Sequence, residues 1–137
     1  MAEFRVSEAA ALLGVSDDTV RRWADIGRIG IAKGANGPMV IDGVELARLA
    51  QELAAESALA TAFPTSKASA RNRITGIVTK VTTDLVMAQV EIQAGPFRIV
   101  SLMSSEAATE LGLQPGMLAT ASIKATTVVV ELPDATA

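Results

Sequence analysis

The spacing of apolar residues changes once along this chain, and that change limits what it can fold into. Through residue 57 apolar positions recur every three or four residues, as at Leu46, Leu49 and Leu53. From residue 72 they recur every second residue, as at Val86, Ala88, Val90 and Ile92. The first period is that of one helix face, the second that of a half-buried strand. One layer cannot serve both, so the 137 residues are expected to form an α+β protein of two small domains. The expected boundaries are 1–57 for a helical domain, 58–68 for a linker, 69–132 for a β domain and 133–137 for a tail. The linker rests on the small residues, Pro64 and Ser66 between the two grammars. Aromatic residues are scarce (Trp23, Phe4, Phe63, Phe97), so each domain has material for only a modest core.

Composition removes several functions. The chain has no Cys and no His, which excludes a thiolate nucleophile, a Ser-His-Asp triad, a disulfide framework and the usual zinc sites. No Gly-x-x-x-x-Gly-Lys-Ser/Thr loop, nucleophile elbow or paired general base is present, so the expectation is a protein that is not an enzyme and needs no metal cation. No apolar run reaches bilayer length and no leader pattern opens the chain, so a soluble, cytoplasmic protein without a membrane partner is expected.

In the first part, Ser7 is a candidate N-cap for a helix over 8–13, and Gly14 a stop. Ser16 is a second candidate cap, followed by Asp17 and Asp18 where the helix dipole favours acids. That helix carries Val20, Trp23 and Ile26 and ends at Gly27. Residues 31–41 read as two short strands about a Gly-rich turn, and 44–56 as a third helix.

The run Phe4-Arg5-Val6-Ser7-Glu8-Ala9-Ala10-Ala11-Leu12-Leu13-Gly14-Val15-Ser16, continued by Thr19-Val20-Arg21-Arg22-Trp23, resembles the winged helix-turn-helix of MerR-type and excisionase-type proteins over about residues 3–55. The resemblance implies double-stranded DNA as a partner. Thr19, Arg21 and Arg22 on the second helix, with Arg28 beyond it and Lys33 on the wing, are then the candidate DNA contacts. Arginine suits guanine edges and phosphates, and threonine suits phosphates or a thymine methyl. The alternative for Arg21 and Arg22 is surface pairing with Asp17, Asp18 or Asp25. Charge opposes tight DNA binding: through residue 66, six Lys and Arg face nine Asp and Glu, a net −3. The wing tip Gly37-Pro38-Met39 also lacks a cation, so weak single-module affinity and assembly for avidity are expected.

The second part reads as strands over 74–81, 86–92, 97–103, 117–123 and 127–131, with a short helix over 104–111 capped by Ser104 or Ser105. Five strands with one inserted helix suggest an OB-like Greek-key barrel. Ser69-Ala70-Arg71-Asn72, then Glu110-Leu111-Gly112-Leu113-Gln114-Pro115-Gly116, then Ile123-Lys124-Ala125-Thr126-Thr127-Val128 resemble, in order and spacing, the Mop domain of molbindins, which is TOBE-like, over about 68–132.

That resemblance implies molybdate or tungstate held as a tetrahedral oxyanion between subunits, in homo-oligomers from dimer to hexamer or larger. The chemistry agrees: such a dianion needs cations and inward-pointing donors rather than His or Cys. Arg71 and Lys124 supply charge, Ser69, Ser104 and Thr126 supply hydroxyls, and Ala70 and Ala125 supply backbone N–H groups. Asn72 is read as support for these groups. A charge-assisted hydrogen bond contributes about 1.5–3 kcal/mol net, so several together reach the roughly 8 kcal/mol of a micromolar site. Spacing leaves open whether 69–72 and 124–126 meet within one subunit or across two. The resulting expectation is a molybdate-responsive DNA-binding regulator. The alternative is a storage or buffering oligomer whose helical module serves assembly.

Overall fold

A computed structural model describes residues 2–35, 37–63 and 68–133. They fall into two compact units, Met1–Ala62 and Phe63–Ala137.

The first unit opens with strand β1 (Glu3–Arg5) and helix α1 (Val6–Leu13). The Glu8 carboxylate accepts the Arg5 N–H at 2.9 Å, so the helix starts at Val6 and Ser7 lies inside it, not at its cap. Gly14 closes α1 in the left-handed conformation, φ 72°, which a side chain rarely tolerates. Helix α2 (Asp17–Asp25) is capped as its sequence suggests, with Ser16 Oγ accepting the Thr19 N–H at 3.2 Å. Ile26 is the C-cap residue and is exposed. Strands β2 (Ala32–Lys33) and β3 (Met39–Asp42) form the expected hairpin; Asn36 of its turn lies outside the described residues. A feature not anticipated is β1, which pairs antiparallel with β3 (Phe4 opposite Ile41) and makes a sheet of order β1-β3-β2. Asp42 then caps helix α3 (Gly43–Ala55), its carboxylate accepting the Val44 N–H at 3.1 Å and the Glu45 N–H at 3.3 Å.

One core joins these elements. Val6, Val20, Ile29, Ile41, Leu46 and Leu49 are buried, with Phe4, Trp23 and Leu53 packed on them. Each large aliphatic side chain so buried contributes about 1.5–3 kcal/mol. Where a linker was expected, Ala58–Ala62 forms a short helix, α4. Ala and Leu favour helix when no turn residue intervenes. The remainder of that expected linker at 64–67, like the tail at 134–137, lies outside the described residues.

The second unit is a curled antiparallel sheet of β4 (Asn72–Thr83), β5 (Met87–Ala94), β6 (Phe97–Ser104) and β7 (Leu118–Ile123), in the order β6-β5-β4-β7. Helix α5 (Ser105–Leu111) follows β6, capped by Ser104 Oγ on the Ala107 N–H at 3.0 Å and ended by Gly112. A register shift between Val78 and Lys80 bends β4. Gly76 marks a close approach: a Cβ there would lie against the Gln93 backbone carbonyl, inside any real contact distance. The concave face carries Val78, Val90 and Ile92, with Ile99, Met103, Ala119 and Ala121 against them.

Four strands, not five, are present among the described residues. The stretch 127–131 expected as a strand begins in a 3-10 turn, Ala125–Thr127, and then runs extended without ladder partners. Alternation signals a strand only where a neighbouring edge supplies its hydrogen bonds.

Candidate functional sites

Helix α2 presents the first set of candidates. Arg21 and Arg22 are exposed, and among the described residues neither has an ion pair or side-chain hydrogen bond. The anticipated alternative, pairing with Asp17, Asp18 or Asp25, is therefore not adopted. Thr19 is half-buried, its hydroxyl 3.0 Å from Ser16 Oγ at the helix cap. Arg28 is committed elsewhere. Its guanidinium lies 5.2 Å over the Trp23 ring and bonds Glu56 Oε1 at 3.0 Å, tying the end of α2 to the end of α3. Lys33 stands exposed on β2. The groove beside Arg21 is also lined by Asp25 and Glu45, two carboxylates that oppose phosphate there. The sequence count of charge signalled this acidity without locating it.

The second set lies at one end of the β unit. Asn72, the first residue of β4, is paired with Ile123, the last of β7. Its side chain reinforces the pairing, Asn72 Nδ2 donating to the Ile123 carbonyl at 3.1 Å. Residues 69–71 therefore enter, and 124–126 leave, the sheet at one place within a single chain. The question left open by spacing is answered as the same subunit for these two segments. Lys124 begins the 3-10 turn, and its carbonyl accepts the Thr127 N–H at 3.0 Å and the Thr127 hydroxyl at 2.9 Å. That turn holds Ala125 and Thr126 beside it. Ser69, Arg71, Lys124 and Thr126 are exposed and Ala70 is half-buried. Neither Arg71 nor Lys124 has an ion-pair partner among the described residues.

Ser104 is not brought to this place. It pairs with Met87, next to Ala88, which pairs with Thr83 at the far end of β4 from Asn72. Its Oγ is also occupied as the cap of α5. Among the described residues no group of three or more carboxylates is placed to hold a metal ion.

The structure has two modules: a helix–turn–helix whose Arg21 and Arg22 have no ion-pair partner among the described residues, and a curled β unit whose Arg71 and Lys124, at one end, likewise have none. Residues 3–54 match the model of the helix-turn-helix domain family and residues 68–130 that of the TOBE domain family. Each match falls within one unit of the chain. Three solved structures are similar to about half of the chain. A molybdate binding protein from Sporomusa ovata is 28% identical over 49% of this chain and 100% of its own, with a TM-score of 0.47. MopII from Clostridium pasteurianum is 33% identical over 48% of this chain and 100% of its own, with a TM-score of 0.46. The cytoplasmic molybdate-binding protein ModG is 40% identical over 50% of this chain, with a TM-score of 0.47, and the match spans 49% of ModG. No curated protein matches the chain. No helix among the described residues is long and apolar enough to cross a membrane.

Proposed function

We propose that the chain is a molybdate- or tungstate-binding regulator of transcription, cytoplasmic and oligomeric, in which oxyanion occupancy of the β units alters DNA binding by the helical units. The observation that carries this reading is the Asn72–Ile123 pairing, which sets Arg71 and Lys124 at one end of a sheet, neither with an ion-pair partner among the described residues. A tetrahedral dianion fits such a place. Two cations offset its charge, while the hydroxyls of Ser69 and Thr126 and the N–H groups of Ala70 and Ala125 provide directed donors. Ser104, at the sheet's other end, joins such a site only when a second copy supplies it. Two of the three similar proteins are molybdate-binding proteins, which supports the choice of oxyanion.

DNA binding rests on the helix-turn-helix family match and on Arg21 and Arg22, which have no ion-pair partner among the described residues. Coupling between the modules requires that the anion favour one arrangement of copies over another. A second reading, storage or buffering of the oxyanion, is favoured by one observation: Asp25 and Glu45 flank the groove beside Arg21.

Calorimetric titration with molybdate, with sulfate as control, tests the oxyanion reading. Saturable binding of molybdate alone supports it, and no binding overturns it. Operator selection from random duplexes, with and without molybdate, separates the two readings. A bound, molybdate-sensitive sequence supports regulation; none, with the anion site intact, leaves storage.

A further inference from the structure

Helix α2 turns one arc to the core and the opposite arc to water. Val20 is fully buried, and Trp23 and Ala24 pack on the same core. Asp17, Asp18, Arg21, Arg22 and Asp25 are all exposed. At the helical repeat these five fall within about 140° of the helix surface, away from Val20. The outward arc therefore carries three carboxylates among its two guanidinium groups.

Two ordinary roles for the first two carboxylates are already filled or not taken up. Capping belongs to Ser16, whose Oγ accepts the Thr19 N–H at 3.2 Å. Pairing with the arginines one turn on, Asp17 with Arg21 and Asp18 with Arg22, has the favourable order of acid before base. Among the described residues neither pair forms. The helix dipole favours acids at this end by a small amount. Against it stands a cost, because in a module that meets DNA each carboxylate on this arc repels phosphate. A contact that only the right sequence provides would offset that cost.

Base chemistry supplies such a contact. The second helix of a helix–turn–helix enters the major groove with its N-terminal residues against base edges. On α2 those residues include Asp17, Asp18, Arg21 and Arg22. Guanine presents O6 and N7, two acceptors that suit the fork of an arginine. Its partner cytosine presents the N4 amino group, a donor that suits a carboxylate and no cation. Adenine also has an amino group, N6, but with the N7 acceptor beside it, which suits an amide and opposes a carboxylate.

We infer that α2 reads G·C base pairs with both kinds of side chain: Arg21 and Arg22 donate to guanine O6 and N7, and Asp17 and Asp18 accept from cytosine N4. The inference rests on the DNA-binding reading proposed above and names the class of site it selects. On cytosine the carboxylates gain a hydrogen bond; on other sequences they only repel. The same arc thus lowers affinity for arbitrary duplex and leaves sequence, rather than charge, to decide where the unit binds.

Operator selection from random duplexes tests this, run side by side on the unaltered full chain and on Asp17→Asn and Asp18→Asn. Both positions are exposed, so both variants are expected to keep the parent's melting temperature. The unaltered chain is expected to select sites with guanine and cytosine at the read positions. Each variant is expected to exchange at least one selected cytosine for adenine, whose N6 and N7 an asparagine amide matches. Its preference for the original site over random duplex is expected to fall at least about fivefold, the lower end of what one base-reading contact supplies. An unchanged site in both variants, with affinity for every duplex raised alike, overturns the inference while DNA binding stands. So does a selected site without G·C pairs. No selected sequence for the unaltered chain overturns the DNA-binding reading and the inference together.

Discussion

Asn72 Nδ2 donates to the carbonyl of Ile123 at 3.1 Å, so one amide side chain fastens the entrance of the β unit to its exit. Arg71 and Lys124 are the residues immediately outside that fastening, and each is exposed. Arg71→Ala and Lys124→Ala are each expected to weaken molybdate binding at least about tenfold, or roughly 1.4 kcal/mol. Titration calorimetry checks this. Unchanged affinity in both variants removes the anion from this end of the sheet. Asn72→Ala is expected to weaken binding as well, by loosening the fastening rather than by removing a charge.

Arg21 and Arg22 have no neutralising partner among the described residues, whereas Arg28 is held by Glu56 and Trp23. The double variant Arg21→Ala/Arg22→Ala is expected to abolish DNA binding and leave molybdate affinity unchanged. Arg28→Ala is expected to lower the melting temperature of the helical unit. Fluorescence anisotropy with a labelled duplex, beside calorimetry with the anion, makes the comparison. Loss of anion binding in the double variant would show that the units are not separable modules.

Gly76 faces the Gln93 backbone, which cannot swing aside as a side chain can. Gly76→Ala is expected to destabilise the β unit by about 3 kcal/mol, at the upper end of the cost of overpacking. Urea unfolding followed by circular dichroism reads the change. A loss under about 0.5 kcal/mol, the ordinary surface value, would mean that β4 and β5 are not so closely apposed.

The Asp84 carboxylate accepts the Met87 N–H at 2.7 Å and the Val86 N–H at 2.8 Å, and these bonds hold its pKa below the ordinary value of 3.8. A carboxylate whose folded pKa is depressed stabilises the fold above its unfolded pKa and loses that contribution as pH falls through the folded one. The β4–β5 turn is therefore expected to weaken below about pH 4. Asp84→Ala should flatten the dependence of stability on pH in that window. Thermal unfolding between pH 3 and 6 is the measurement, and an unaltered profile in the variant would assign the acid sensitivity to other carboxylates.

What was legible in the sequence divides by the range of the interaction that decides it. Helix α2 could be read because Ser16 caps it locally and Val20 is spaced to bury. Helix α5 could be read from Ser104 and Gly112, both within its own few residues. Ser7 misled because Ser is a common cap, while the N–H that needed capping was bonded by Glu8 three residues on. Strand β1 was hidden because three residues carry no period, and its pairing with β3 spans almost forty positions. The anion-site candidates split in the same manner. Residues 69–72 and 124–126 are joined by a β4–β7 register that no local signal displays, and Ser104 is parted from them by the β5–β6 register.

The run at 128–132 follows every strand of the sheet in chain order. On the ribosome, β4 to β7 can therefore complete their ladder before this segment has been made. The four-stranded ladder is then settled before the stretch after it can compete for either edge.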